Sequence, residues 1–249
     1  MSGRLPDAAG YRLDQLDLGA LTFAAGVLLP DEQVTVPVTG LLARGHGRTI
    51  LIDCGSGPYD PDLAGQQLLR DALAAEGLAP ADVDTVVLTH MDGDHAGGAV
   101  TGAWPDAVEA TFRRVVILDE SIDWWRQRTD PNLGTVLVAV LERDGVLEPV
   151  AAGVELAPHL TLESAPGHRP GHAAVWFGDE FVHAADTLHV VEHIAHPEWD
   201  DVFDTDAAVA LATRLQWIER LVQSGTPVLF SHIADRGRIV SGPAWQPDA

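Results

Sequence analysis

Between Thr89 and Gly98 the chain reads "THMDGDHAGG", which places two imidazoles, His90 and His95, and two carboxylates, Asp92 and Asp94, within six consecutive positions. The preceding run Val86-Val87-Leu88 reads as a short, fully buried strand, so these groups stand where a strand ends and the backbone turns. Unpaired charge is costly in such a place. A cation offsets that cost, because carboxylates and imidazoles converging on one point are held together by a metal ion. Four more segments end apolar runs with residues able to bind metal: Asp53 in "LIDCG", His168 in "APGHRPGH", Asp186 in "VHAADTLH" and His232 in "VLFSHIAD". A lone histidine is more often a surface or core residue than a ligand. Recurrence at successive strand ends is different, because a rigid sheet can hold loop residues in convergent geometry.

The elements that must carry these loops follow from periodicity. Residues 34–57 read as a β-hairpin turning at Gly45-His46-Gly47, with its second strand ending at Asp53. Over 61–76, Leu69 and Leu73 stand four apart and Gly77 supplies a C-cap, so an amphipathic helix leads to the strand at 85–88. Further strands are expected near 115–118, 173–177, 181–184 and 227–230, with helices over about 206–223 and 131–150. Glycines 97 and 98 are expected to let a following helix pack closely on the sheet. There is no internal repeat or linker that divides the chain, so a single domain over 1–249 is expected, with its core over about 34–240.

Composition bounds the partners. The 249 residues carry 37 acidic and 15 basic side chains, all of the latter arginine, for a formal charge of -22. Two divalent metals would cancel only about four of those charges, so the chain is expected to bind neither nucleic acid nor an anionic membrane. A small-molecule substrate is the expected partner, with the oligomeric state open and a homodimer among the options. The single cysteine, Cys54, excludes a disulfide framework and a Cys-based zinc cage; a small buried hydrophobe is its expected role. No signal peptide or long apolar span is visible, so a cytoplasmic location is expected.

The order H-x-D-x-D-H, then P-G-H-x-x-G-H, a strand-end Asp and a final S-H resembles the metallo-β-lactamase superfamily over about residues 34 to 240. The resemblance implies an α/β fold, an αββα sandwich of two back-to-back mixed sheets with helices outside, and a dinuclear site at one edge. Carried over by position, His90, Asp92 and His168 would hold one metal, Asp94, His95 and His232 the other, and Asp186 would bridge them. Asp53 would support the ligands by hydrogen bonding, and His172 would support them from behind without binding metal. Arg169 is expected to face solvent. Two divalent metal ions are implied, with zinc favoured and manganese or iron as alternatives.

Asp92 departs from the usual motif, which has histidine there. Its extra negative charge would weaken the Lewis acidity of the pair and favour harder ions, and a one-metal or degenerate site is the alternative. The segments "GHGRTILIDCGSG", "DESIDWW" and "LHVVEHIAHPEWDDVFDTD" resemble the branch with N-acyl-homoserine lactone lactonases and methyl parathion hydrolase. That implies hydrolysis of a lactone, carboxylic ester or phosphotriester, with a metal-bridging hydroxide as nucleophile. Trp124, Trp125 and Trp199 would flank the cleft. Asp94 and His189 are the candidate catalytic residues; His189 stands where these lactonases present a tyrosine and would donate to an oxyanion or a leaving alkoxide. A non-heme iron oxidoreductase and a metal-poor binding module of the same fold are the competing readings.

Overall fold

The computed structural model describes residues 3–59, 64–128, 132–199 and 202–248. The first half contains β1 (Gly3–Ala8), β2 (Tyr11–Phe23), β3 (Val34–Gly45), β4 (Arg48–Ile52), α1 (Gly65–Ala75), β5 (Thr85–Val87), the single turn α2 (Gly93–Ala96), β6 (Val100–Ala103), β7 (Ala107–Ala110), β8 (Val115–Leu118), α3 (Asp119–Arg126), α4 (Leu133–Arg143) and β9 (Leu147–Val150). The second half contains β10 (Glu155–Ala157), β11 (Leu160–Ser164), β12 (Ala173–Phe177), β13 (Phe181–Ala185), α5 (Glu192–Ala195), α6 (Ala207–Ser224), β14 (Val228–Phe230), β15 (Gly237–Val240) and β16 (Ala244–Pro247).

Each half builds one seven-stranded sheet, and β6 and β7 pair as a separate two-stranded one. The first has the order β1-β2-β3-β4-β5-β8-β9 and is parallel from β4 onward. The second runs β10 to β16 in chain order, with β13 and β14 parallel. Successive side chains of a strand point to opposite faces, and here both faces are covered, so the central strands are continuously apolar. Ile50, Ile52, Val87 and Val116 meet Val175, Phe177 and Leu229 between the sheets. Leu51, Val86, Leu88 and Val115 pack outward with Leu73 of α1 and with Leu137 and Leu141 of α4. On the other side Trp176, Val182 and Phe230 lie with Trp217, Ile218 and Leu221 of α6. The layers are therefore helix, sheet, sheet, helix, as the resemblance implied. Among the described residues, no helix is long and apolar enough to cross a membrane.

Three expectations need correction. The helix expected over 131–150 starts at Leu133, capped by Asn132, whose side chain accepts from the Thr135 N–H, and it stops at Arg143. Gly145, at φ 69°, turns the chain into β9. Position 131, like 61–63 of the first expected helix, lies outside the described residues. The first sheet also begins well before residue 34, since β2 pairs along β3 and buries Leu13 and Leu16 completely. Finally, Gly97 and Gly98 precede no long helix. They form a tight turn into β6, and a Cβ on either would come within 2.1 Å of a carbonyl oxygen, of Ser56 or Cys54 respectively. Their role is to let the His/Asp loop lie directly against the loop after β4. Cys54 is fully buried there, and burial pushes its thiol well above the ordinary range.

Candidate metal centre

The loops after β5, β11, β13 and β14 meet at one end of the sandwich; those after β5, β11 and β14 bring histidines whose Nδ1 is already committed, and the loop after β13 brings Asp186 and His189. Asp53, fully buried just past β4, accepts from the Thr89 N–H at 2.8 Å, from the Thr89 hydroxyl at 2.7 Å and from His95 Nδ1 at 2.8 Å. With its hydroxyl proton spent on Asp53, Thr89 accepts from His90 Nδ1 at 3.0 Å. His232 Nδ1 donates to the Pro37 carbonyl at 2.8 Å, and His168 Nδ1 lies 3.3 Å from Asp204 Oδ1. Fixing Nδ1 sets both the tautomer and the ring orientation, so that each Nε2 lone pair points inward.

The inward atoms surround one carboxylate. Asp186 Oδ2 lies 3.2 Å from His95 Nε2, 3.3 Å from those of His232 and His189, 3.7 Å from that of His168 and 3.8 Å from that of His90. Ligand atoms of His90, Asp92 and His168 lie within 4.8 Å of one another, as do those of Asp94, His95 and His232. Those are the two trios expected from the sequence. His90 Nε2, His95 Nε2, His168 Nε2 and Asp186 Oδ1 are all buried without a hydrogen-bond partner. Orphaning several polar atoms in one place costs about 1–3 kcal/mol each, and lone pairs facing a carboxylate oxygen add repulsion. A cation removes both penalties, so the donor set fits divalent metal. Electrostatics point the same way. Burial lowers the affinity of His95 for a proton, but Asp186, Asp94 and Asp53 outweigh it and hold its pKa well above the ordinary histidine range. Burial would raise the Asp186 pKa, yet His95, His232 and His189 hold it far below the usual carboxylate range.

His172 stands behind the cluster. Its Nδ1 donates to the Ala165 carbonyl at 2.8 Å and its Nε2 accepts from the Asp186 N–H at 3.1 Å, so the ring is neutral and fixes the Asp186 backbone. Burial, reinforced by the nearby His168, lowers its pKa to about 4.

Arg169 corrects the expectation that it faces solvent. Its Nε donates to Asp92 Oδ1 at 2.7 Å, and its Nη1 donates to the carbonyls of His168, at 2.9 Å, and Phe203. Asp204 and Arg214 are functional candidates that motif reading missed. Asp204 bonds His168 with one oxygen and Arg214 Nη1, at 2.8 Å, with the other. Both side chains are almost wholly buried. The only signal was an aspartate in "DVFDTD" and an arginine on an otherwise ordinary amphipathic helix.

A cavity of about 380 Å³ opens over the cluster. His189, His168, Asp92, Asp94, Asp186 and His232 form its floor, Leu21, Phe23 and Phe203 one apolar wall, and Tyr59, Trp125 and Leu133 another. Of the three tryptophans expected to flank the cleft, only Trp125 lines it. Trp124 lies under the Arg128 guanidinium and Trp199 stacks on His196 at 4.3 Å.

The sequence model of the Metallo-beta-lactamase superfamily matches residues 35–232. Among solved structures, AidC, a dizinc quorum-quenching lactonase in complex with a product, superposes with a TM-score of 0.83 at 23% identity, covering 100% of this chain and 98% of that one. The hydrolase AbOPH gives 0.80 at 20% identity, covering 100% and 97%. AiiA of B. thuringiensis, as a mutant with N-decanoyl-L-homoserine bound at its active site, gives 0.70 at 17%, covering 91% and 94%. At such identities the likeness is one of fold. No curated protein matches the sequence.

Proposed function

The chain belongs to the metallo-beta-lactamase superfamily, and from that premise we propose that it is a metal-dependent hydrolase of an ester-like bond: a lactone, carboxylic ester or phosphotriester. The observation that carries the reading is the convergence of the buried, unpartnered Nε2 atoms of His90, His95 and His168 and Oδ1 of Asp186. His90, Asp92 and His168 would hold one divalent ion, Asp94, His95 and His232 a second, and Asp186 would reach both. Zinc is favoured by the imidazole-rich donor set. When bound, the metals supply Lewis acidity and an activated water at neutral pH.

The protein's own groups do the rest. The apolar walls would take a substrate's hydrocarbon portion and exclude water from the reacting bond. His189 is fixed at the floor beside Asp186, within reach of a substrate lying on the cluster. It would protonate the leaving alkoxide or donate to the developing oxyanion. The lactonase among the structural relatives makes a lactone the first substrate to try. Elemental analysis of protein purified without a metal-binding tag, paired with hydrolysis assays on a lactone, an aryl ester and a phosphotriester, tests the proposal. About two zinc per chain with metal-dependent hydrolysis of one of these substrates supports it. Metal near zero, or iron with no hydrolysis, would sink it.

A further inference from the structure

Asp92 is the position at which this chain departs from an all-imidazole trio, and its carboxylate does not stand alone. Its Oδ1 is taken by Arg169 Nε at 2.7 Å, while its Oδ2 turns toward the cluster, 3.6 Å from His168 Nε2 and 3.9 Å from His90 Nε2. The guanidinium is fixed at its other end by the carbonyls of His168 and Phe203 and by the Thr205 hydroxyl at 3.4 Å. Swinging away would give up its bonds to Asp92, to both carbonyls and to the Thr205 hydroxyl at once.

Resting on the metal-binding reading above, we propose that Arg169 is a positioning residue that turns Asp92 into the equivalent of a neutral, single-atom ligand and so sets which metal the His90/Asp92/His168 position prefers. Two physical effects combine. The Asp92–Arg169 pair carries no net charge, as a neutral imidazole would, so the charge excess that an aspartate brings to the donor set is removed. A carboxylate with one oxygen locked in a charge-assisted hydrogen bond also offers only the other. Without the arginine, Asp92 would regain its full charge and second oxygen, a harder and more adaptable donor of the kind that manganese favours over zinc. Lysine could not replace the arginine. It would supply charge as a point, but not the planar fork that bonds Asp92 from one side and two carbonyls from the other.

The test is equilibrium dialysis of the apoprotein against Zn2+ and Mn2+ in competition, with both metals counted per chain, for wild type, Arg169→Met and Arg169→Lys. Arg169→Met should shift the zinc-to-manganese preference of one of the two equivalents by about tenfold toward manganese, leaving the other unchanged, the scale on which groups behind a metal ligand act. Arg169→Lys should shift it in the same direction by less. The double substitution Asp92→His/Arg169→Met should show no shift relative to Asp92→His, since no carboxylate remains for the arginine to act through. Unchanged selectivity in both single variants, an equal loss at both equivalents, or the same shift in the Asp92→His background would overturn the proposal. Wild-type protein that binds neither metal would instead reject the metal-binding reading on which it rests.

Discussion

Asp53 Oδ2 lies 2.8 Å from His95 Nδ1, and the same carboxylate holds the main chain and hydroxyl of Thr89. One buried side chain therefore orients both ends of the His/Asp loop: His95 directly and His90 through Thr89. Asp53 also sits at φ 56°, a conformation in which aspartate and asparagine are among the better-tolerated residues.

Replacing Asp53 by alanine should leave the Thr89 groups and His95 Nδ1 without their acceptor, destabilising the fold by about 1–3 kcal/mol or more, and should lower metal content. Asp53→Asn keeps an acceptor oxygen and the backbone preference, so it should be milder on both counts. Thermal denaturation alongside elemental analysis measures the two effects. Equal behaviour of the alanine and asparagine variants would contradict the hydrogen-bonding role.

His189→Ala should retain both metals while turnover falls by roughly 10² or more, the scale of a lost general acid or oxyanion donor. Steady-state kinetics with metal content measured in each sample would check this. Loss of one metal equivalent would make His189 a ligand, a geometry its 3.3 Å approach to Asp186 also allows. Turnover within a few-fold of wild type would remove it from the mechanism.

Arg214→Met leaves Asp204 charged and buried beside His168, which should destabilise the protein by about 3–5 kcal/mol. Asp204→Asn removes the charge behind His168 and should weaken one metal equivalent by about 10–100-fold. Chelator competition that resolves the two equivalents, together with urea denaturation, separates these outcomes. An affinity for both metals matching wild type in Asp204→Asn would show that His168 needs no carboxylate behind it.

Asp14 gives a pH signature away from the metal centre. Burial raises its pKa, but hydrogen bonds from Arg12 and Arg44 outweigh it and hold the carboxyl below its ordinary 3.8. The resulting stability is present above the unfolded pKa and fades as pH falls through the lower folded value. Asp14→Asn should therefore be less stable than wild type at pH 7, with the gap narrowing below about pH 4. Denaturant midpoints for both proteins at pH 7 and pH 3 would reveal it. A gap that stays constant across that range would show that the carboxylate's charge contributes nothing.

Much of the candidate centre was legible because residues able to bind metal are of few types and stand at strand ends that periodicity reveals. His90, Asp92, Asp94, His95, His168, Asp186 and His232 are all brought together, and the buried runs around Val86 and Phe230 became central strands. What escaped were relationships across long sequence separations. Nothing in "GHRPG" says that Arg169 will reach back 77 positions to Asp92, or in "DVFDTD" that Asp204 will stand behind His168. β2 was missed as part of the sheet for a related reason. Asp14 and Gln15 interrupt its apolar pattern, and only the fold shows both of them buried.

The four imidazoles whose Nδ1 atoms are tied outside the cluster draw on both halves of the molecule. His90 and His95 are oriented within the first half, His168 within the second, and His232, from the second, is oriented by Pro37 of the first. The trios divide in the same way: His90 and Asp92 need His168, and Asp94 and His95 need His232. Neither of these two trios is complete within one half, although His168, Asp186 and His189 of the second half also converge. If the two trios bind metal as proposed, both would be complete only with the two sheets docked, so uptake of two metals would report that docking, and a cleavage near Gly153 that let the halves part would break both trios with every candidate ligand still intact.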